Sequence, residues 1–175
     1  MRICRFAIIA LALALRVTSA SAQPGPLLEA KLEIRVLDFV VEPDRRAEVA
    51  VLYDRDNAES LKDANQILNA FREAAGTARS KFSPKLVERH LLPQEIGLKA
   101  VVLARGIADA DDDILSYGVD NRTLILAGGT DCVKNRQCGI GVATTPEIQI
   151  AVCGDLIRRS NIRFADGFQL MVKEF

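Results

Sequence analysis

Short apolar runs alternate with segments of helical periodicity through most of the chain. Residues 49–53, 98–104 and 123–127 are almost continuously apolar, which is typical of strands that are buried on both faces of a sheet. Within residues 61–75 the apolar positions recur at i, i+3, i+7, i+10 and i+14, and this spacing predicts an amphipathic helix. Asp56, three positions before Glu59, is predicted to cap the start of that helix.

The remaining elements are less clear from the pattern. Residues 27–41 keep helical spacing, but Leu32, Ile34 and Val36 also alternate as in a strand, so periodicity alone does not decide between the two. Alternation over residues 84–92 predicts a strand that contains His90, the single histidine. Short helices are predicted at residues 108–117 and 155–160, and paired strands at residues 140–144 and 147–152.

Buried strands that alternate with amphipathic helices indicate the α/β class. We therefore predict a single three-layer domain with a mostly parallel sheet, helices on both faces and a late antiparallel strand pair. The sequence shows no internal repeat and no stretch that resembles an interdomain linker.

The N-terminal 22 residues have the pattern of a secretory signal peptide. Arg2 and Arg5 precede an apolar run at residues 6–15, and small residues at Ala20 and Ala22 form a cleavage site. We expect cleavage after Ala22, export to the periplasm and one domain at residues 23–175. Because Arg16 directly follows the apolar run, an uncleaved anchor is the alternative interpretation.

Removal of this leader changes the charge. The whole chain has 23 basic and 23 acidic residues, and the leader takes away three arginines and no acid, which leaves a net charge of −3. A nucleic-acid-binding protein would need a basic excess on some face, so that class of function is excluded. No later apolar run approaches transmembrane length, and the protein is therefore expected not to span a membrane after cleavage.

Three cysteines follow the leader. Cys132 and Cys138 enclose five residues in a polar loop, and this spacing favours a local disulfide in an exported protein, serving either as a structural staple or as a redox-sensitive bridge. Cys153 ends an apolar strand and is either a buried small hydrophobe with a free thiol or half of an intermolecular bridge. Zinc is not expected, because the chain offers one histidine and too few cysteines.

Two charged groups are weak candidates for partner contact. Asp111 and Asp112 belong to an acidic run that lacks the glycine and the bidentate glutamate of a calcium loop. Arg158 and Arg159 come at the end of a predicted helix, where arginines usually interact favourably with the negative end of the helix dipole. No serine elbow accompanies His90, and we therefore predict neither an enzyme nor a bound cofactor or metal.

The order of elements resembles the YfiR/HmsC-type family of small periplasmic proteins over nearly all of residues 23–175. That family opens with a helix ending in an aromatic residue, a valine and Trp-Pro; residues 30–43 here are similar, with Glu42 in place of the tryptophan. Further matches are Gly-Ile-Gly-Val at residues 139–142, the strand at residues 148–150 and Asn-Ile-Arg-Phe at residues 161–164. The resemblance implies that residues 27–41 are a helix.

The resemblance also implies a function. Members of the family are non-enzymatic repressors that act on the periplasmic portion of an inner-membrane diguanylate cyclase and so lower cyclic-di-GMP synthesis and biofilm formation. A disulfide supports the fold in the region where Cys132 and Cys138 lie here. The alternative hypothesis is a small periplasmic solute-binding module of transporter type, since residues 49–54 and the helix after them also resemble the opening of such a lobe. We also consider a second copy of the same chain as a partner, in a homodimer.

Overall fold

The computed structural model describes residues 26–40, 46–76, 78, 81–107, 112–168 and 172–175, and the predicted leader lies outside them. In chain order the elements are α1 (Pro26–Val40), β1 (Arg46–Tyr53), α2 (Ala58–Ala75), β2 (Lys81–Glu88), a 3₁₀ helix (Arg89–Gln94), β3 (Leu98–Leu103), α3 (Asp112–Asp120), β4 (Leu124–Gly128), α4 (Asp131–Lys134), β5 (Ile140–Ala143), β6 (Gln149–Val152), α5 (Gly154–Arg159) and β7 (Lys173–Glu174). Over the described ranges, no helix combines the length and the apolar character needed to cross a membrane.

The seven strands form one sheet in the order β2-β1-β3-β4-β5-β6-β7. Strands β1 to β5 pair in parallel, β5 and β6 are antiparallel, and β6 pairs in parallel with the short β7. The predicted α/β class, the mostly parallel sheet and the late antiparallel pair are thereby confirmed.

Both faces of the central strands are buried. Val49, Val102 and Leu126 belong to a cluster that includes Leu37 of α1 and Phe71 of α2. The alternate strand residues, such as Ala50, Val101 and Ile125, pack instead with the 3₁₀ helix, α3, α4 and α5. Because successive side chains of a strand point to opposite faces, the two clusters lie on opposite sides of the sheet, as the apolar runs predict.

The ambiguous first segment is helical. Along α1, Ala30, Ile34 and Leu37 are buried and belong to one cluster with Phe71 of α2. Spacings of three and four residues place these side chains on one face of a helix, whereas a strand would put Leu37 on the face opposite Ile34. Packing against α2 therefore resolves what periodicity left open.

The prediction that His90 lies in a strand is wrong. β2 ends at Glu88, where its ladder with β1 also ends at the pair Tyr53 and Glu88. The chain then turns into the 3₁₀ helix, which contains both His90 and Pro93. An edge strand has one partner, and β2 stops where that partner stops, so the register with β1 decides this boundary and the local alternation does not.

The cap of α2 also differs from the prediction by one residue. Asn57, and not Asp56, is the N-cap, and its Oδ1 accepts hydrogen bonds from the backbone of Glu59 and Ser60 at 3.1 and 3.3 Å. The backbone N–H of Asp56 donates to Asp54 Oδ1 at 2.9 Å, within a turn that precedes the helix. Asn57 Nδ2 donates to the carbonyl of Gly106 at 3.0 Å and so ties the start of α2 to the loop after β3.

The two loop cysteines lie at disulfide distance. Cys132 is in α4 and Cys138 lies two residues before β5, with their Sγ atoms 2.01 Å apart. The polar loop that the sequence predicts around these cysteines thus contains one helical turn, α4. The backbone N–H of Gln137 donates to the carbonyl of Cys132 at 2.7 Å. Among the described residues Cys153 is buried and has no disulfide partner.

Substitutions at Asn57 separate its two roles. Asn57→Ala removes both the cap and the tie to Gly106, and we expect it to lower the free energy of unfolding by about 1–2 kcal/mol. Asn57→Asp keeps the cap but cannot donate to Gly106, so it is expected to cost less. Urea unfolding measures both losses. Equal losses in the two variants would contradict a separate contribution from the cap, and an unchanged stability of Asn57→Asp would contradict a contribution from the Gly106 contact.

Removal of the disulfide is expected to destabilise the protein moderately. A closed loop of this size restricts the unfolded chain, and the double variant Cys132→Ser/Cys138→Ser should lose roughly 2 kcal/mol of unfolding free energy. Cys153→Ala is the control, because it should leave the response to reductant unchanged. An unfolding midpoint that dithiothreitol does not move in either the wild type or Cys153→Ala would contradict the bridge.

Candidate functional site

A cleft of about 450 Å³ opens at the carboxyl ends of β1 and β2. The turn after β1, the 3₁₀ helix after β2 and the first turn of α3 form its walls. Its lining residues are Asp54, Arg55, Asp56, Glu88, Arg89, His90, Leu92, Pro93, Asp113 and Ile114. A volume of this size is within the range of small-molecule sites.

The position of the cleft follows from the strand order. From β1 the chain winds outward to β2, and it then crosses back to β3 on the other side of β1. In open parallel sheets, the loops at such a reversal diverge and leave a crevice beyond the carboxyl ends of the strands. The turn after β1, which contributes Asp54 and Arg55, lies at this reversal.

Glu88 is the centre of the charged wall. Its carboxylate lies 3.0 Å from His90 Nδ1 and 3.8 Å from Arg55 Nη1. The side chain of Glu88 is 13% exposed, whereas those of Arg55 and His90 are 73% and 63% exposed. A largely buried carboxylate therefore lies beside two exposed side chains at the rim, where both can reach a bound molecule.

Hydrogen bonds fix the turn after β1. The backbone N–H of Asp54 donates to Ser60 Oγ at 3.1 Å, and the N–H of Asn57 donates to the carbonyl of Asp54 at 3.2 Å. Together with the Asn57 cap, these bonds hold the turn against the first turn of α2. Arg55 and Asp56 thus project from a backbone that is already ordered.

The 3₁₀ helix is also held in place. Lys85 of β2 donates to Glu95 Oε2 at 2.6 Å, and Tyr117 Oη of α3 donates to the carbonyl of Glu95 at 3.0 Å. The hydrogen bond that Lys85 donates to Glu95 is the main cause that raises the pKa of Lys85. Burial is the main cause that raises the pKa of Tyr117, which therefore keeps its proton and its donor role. These contacts position His90 by fixing the segment that follows it.

The cleft combines an apolar surface with charges of both signs. Leu92 and Ile114 are buried beside Pro93, while carboxylates, arginines and His90 line the remainder. Such a lining suits a small ligand that carries an apolar group and both a positive and a negative charge. Over the described ranges, no three carboxylate, histidine or cysteine side chains are arranged to hold a metal ion.

The residues predicted from sequence do not converge on this cleft. Asp112 is in the first turn of α3, next to Asp113 of the lining, and Asp111 lies outside the described residues. Arg158 is in the last turn of α5 and pairs with Asp155 at 3.7 Å and Glu174 at 3.8 Å. Arg159 shares that last turn.

The cysteines also belong to other regions. Cys132 and Cys138 brace the connection from β4 to β5, and Cys153 is buried at the N-cap of α5. Sequence reasoning missed the cleft residues, although one signal was available. The charged tripeptide at residues 54–56 directly follows a buried strand, at the edge where parallel α/β sheets bind ligands.

Comparison by sequence returns no relative, because no family model and no curated protein matches this chain. Comparison by structure returns proteins of similar fold. An ABC domain from Streptococcus pneumonia, solved in complex with L-Trp, has a TM-score of 0.57 at 9% identity and covers 83% of this chain. A conserved domain protein from Vibrio cholerae O1 biovar El Tor has a TM-score of 0.59 at 7% identity and covers 87%.

A third similar structure is the ligand-free, open form of a substrate-binding protein with adhesive properties from Clostridium difficile, with a TM-score of 0.56, 12% identity and 83% coverage of this chain. This chain spans 58% to 60% of the length of the three structures. At these identities the likeness shows the fold alone: the chain has an α/β fold similar to that of these three structures.

Proposed function

We propose that this protein is a non-enzymatic binding module whose cleft takes a small zwitterionic solute. The observation that carries the proposal is the cleft at the carboxyl ends of β1 and β2, where a turn and a 3₁₀ helix, both held by hydrogen bonds, present charges of both signs. A preformed cleft favours binding because little conformational entropy is lost when the ligand enters.

The charges of the cleft support this class of ligand. Arg55 is separated from Glu88 by 3.8 Å, which is too long for a hydrogen bond, so its guanidinium can donate to a ligand anion. Asp56 and Asp113 are exposed and can accept from a ligand ammonium group. Two structures of similar fold add support: an ABC domain solved in complex with L-Trp, itself a zwitterion, and a substrate-binding protein.

The test is a thermal-shift screen followed by calorimetry. The protein, expressed from its full-length gene, is screened against the twenty amino acids and a panel of dipeptides, and a ligand at 100 times its Kd should add about 2.7 kcal/mol of stability. Arg55→Ala should weaken binding of the best compound about tenfold, because it removes a charge-assisted hydrogen bond. His90→Ala should weaken binding as well.

Lys62→Ala provides the matched control, since Lys62 is another exposed cation that pairs with Glu59 on α2 and does not line the cleft. It should bind as the wild type does. The proposal fails if no compound raises the melting temperature, or if binding is unchanged in both cleft variants.

A regulatory function is the second proposal, and it rests on the YfiR/HmsC resemblance. Two observations agree with that resemblance: residues 26–40 form a helix, and a cysteine bridge precedes the Gly-Ile strand β5. In this proposal the protein is periplasmic and represses an inner-membrane diguanylate cyclase by docking on its periplasmic portion. A solute in the cleft would then be the signal that this regulator senses.

Gene deletion tests the regulatory proposal separately from the cleft. If the protein represses a diguanylate cyclase, its loss should raise cellular cyclic-di-GMP severalfold, and complementation should restore the original level. Complementation with Cys132→Ser/Cys138→Ser should restore it less well. Unchanged cyclic-di-GMP after deletion would rule out repression while leaving solute binding open.

A further inference from the structure

His90 lies at the rim of the cleft with one ring nitrogen against a carboxylate. Its Nδ1 is 3.0 Å from Glu88 Oε1, and its side chain is 63% exposed, whereas that of Glu88 is 13% exposed. If Nδ1 carried no proton, its lone pair would face the lone pairs of a carboxylate oxygen at this distance, and the two would repel each other. The proton of the neutral imidazole is therefore on Nδ1.

This tautomer determines what the other ring nitrogen offers to a ligand. In neutral His90, Nε2 has a lone pair and can only accept a hydrogen bond, whereas in protonated His90 it carries a hydrogen and can only donate one. A ligand carboxylate accepts hydrogen bonds and does not donate them. It can therefore bind to Nε2 only when His90 is protonated.

Arg55 provides a second cation beside the same carboxylate. Its Nη1 is 3.8 Å from Glu88 Oε2, and its side chain is 73% exposed. Because the two oxygens of Glu88 belong to one group, Arg55 and His90 flank that group and are neighbours at the rim. An anion that binds here meets a permanent charge on Arg55 and a pH-dependent charge on His90.

The other charges of the cleft make the protonation of His90 important for an anion. Four carboxylates and two arginines are among the described residues that line the cleft: Asp54, Asp56, Glu88, Asp113, Arg55 and Arg89. At the end of the 3₁₀ helix, Lys85 and Glu95 pair with each other at 2.6 Å. The described lining as a whole repels an anion, and a proton on His90 reduces that repulsion.

We propose that Arg55 and His90 form the carboxylate end of the solute site, and that a ligand carboxylate binds there together with one proton, which His90 takes up from solvent. The inference rests on the proposed function of the cleft and adds a condition for binding: the affinity for a carboxylate rises as the pH falls. An ammonium group at the same place would show the opposite dependence, because it needs the lone pair of neutral His90.

Two probes that share a branched alkyl chain and differ in charge test the proposal: 4-methylpentanoate and isopentylammonium chloride. NMR titration of the protein, expressed from its full-length gene without a histidine tag, measures each Kd, and the imidazole signals belong to His90 because the chain has a single histidine. The Kd of 4-methylpentanoate should rise about tenfold from pH 5.5 to pH 7.5, the range over which histidine ordinarily loses its charge. The Kd of isopentylammonium should not rise over that range.

Two variants separate the charge of the imidazole from its shape. His90→Gln has no titrating group at this position, so it should bind 4-methylpentanoate more weakly than the wild type at pH 5.5 and equally at pH 5.5 and 7.5. Glu88→Gln removes the carboxylate that keeps the proton on Nδ1, so neutral His90 can present Nε2–H to the ligand. Its Kd at pH 7.5 should therefore fall towards the value at pH 5.5.

Glu33 of α1 is another group that titrates near this range, because burial raises its pKa to about 8. It is not among the described residues that line the cleft. Its contribution is therefore common to the wild type and to His90→Gln, and the difference between their pH profiles reports His90 alone.

Long-range ¹H–¹⁵N spectra of the ligand-free protein should place the hydrogen of neutral His90 on Nδ1. The proposal is overturned if that hydrogen is on Nε2, if the Kd of 4-methylpentanoate is the same at pH 5.5 and 7.5, or if His90→Gln keeps the wild-type pH profile. If neither probe nor any amino acid binds, the proposed function of the cleft fails as well. Binding of isopentylammonium without binding of 4-methylpentanoate overturns only the carboxylate end.

Discussion

Burial of β1, β3 and β4 on both faces is the constraint on which the rest of this structure depends. Val49 and Ala50, adjacent in β1, are both fully buried on opposite sides of the sheet, and the same alternation recurs in the next two strands. Strands of this kind need a layer of helices on each face. The amphipathic α2, the packed face of α1 and the short helices of the opposite layer all meet that need.

The same constraint places the chemistry of the molecule at one edge. Apolar strands leave no room for charged groups inside the sheet, so charges gather where the strands end. Asp54 and Arg55 follow β1, Glu88 closes β2, and Arg105 follows β3. Asn57 joins two of these loops through Gly106.

Individual residues show how far sequence reasoning reaches. The spacing of residues 61–75 predicted α2 well, because a periodic apolar face is a local property of the chain. The cap was misplaced by one residue because Asp56 and Asn57 are both good caps, and the contact of Asn57 with Gly106 is invisible in the sequence. His90 was assigned to a strand because its neighbours alternate, whereas the register of β2 against β1 ended that strand at Glu88.

The sequence by itself determined the α/β class, the buried strands, the long amphipathic helix and the spacing that brings Cys132 to Cys138. Each depends on residues close together in the chain. Only the tertiary structure decided that the turn after β1, the 3₁₀ helix and α3 form one cleft, and that Asn57 contacts Gly106. The physical reason is that strand order and helix packing join residues far apart in sequence, and no local periodicity records those pairings.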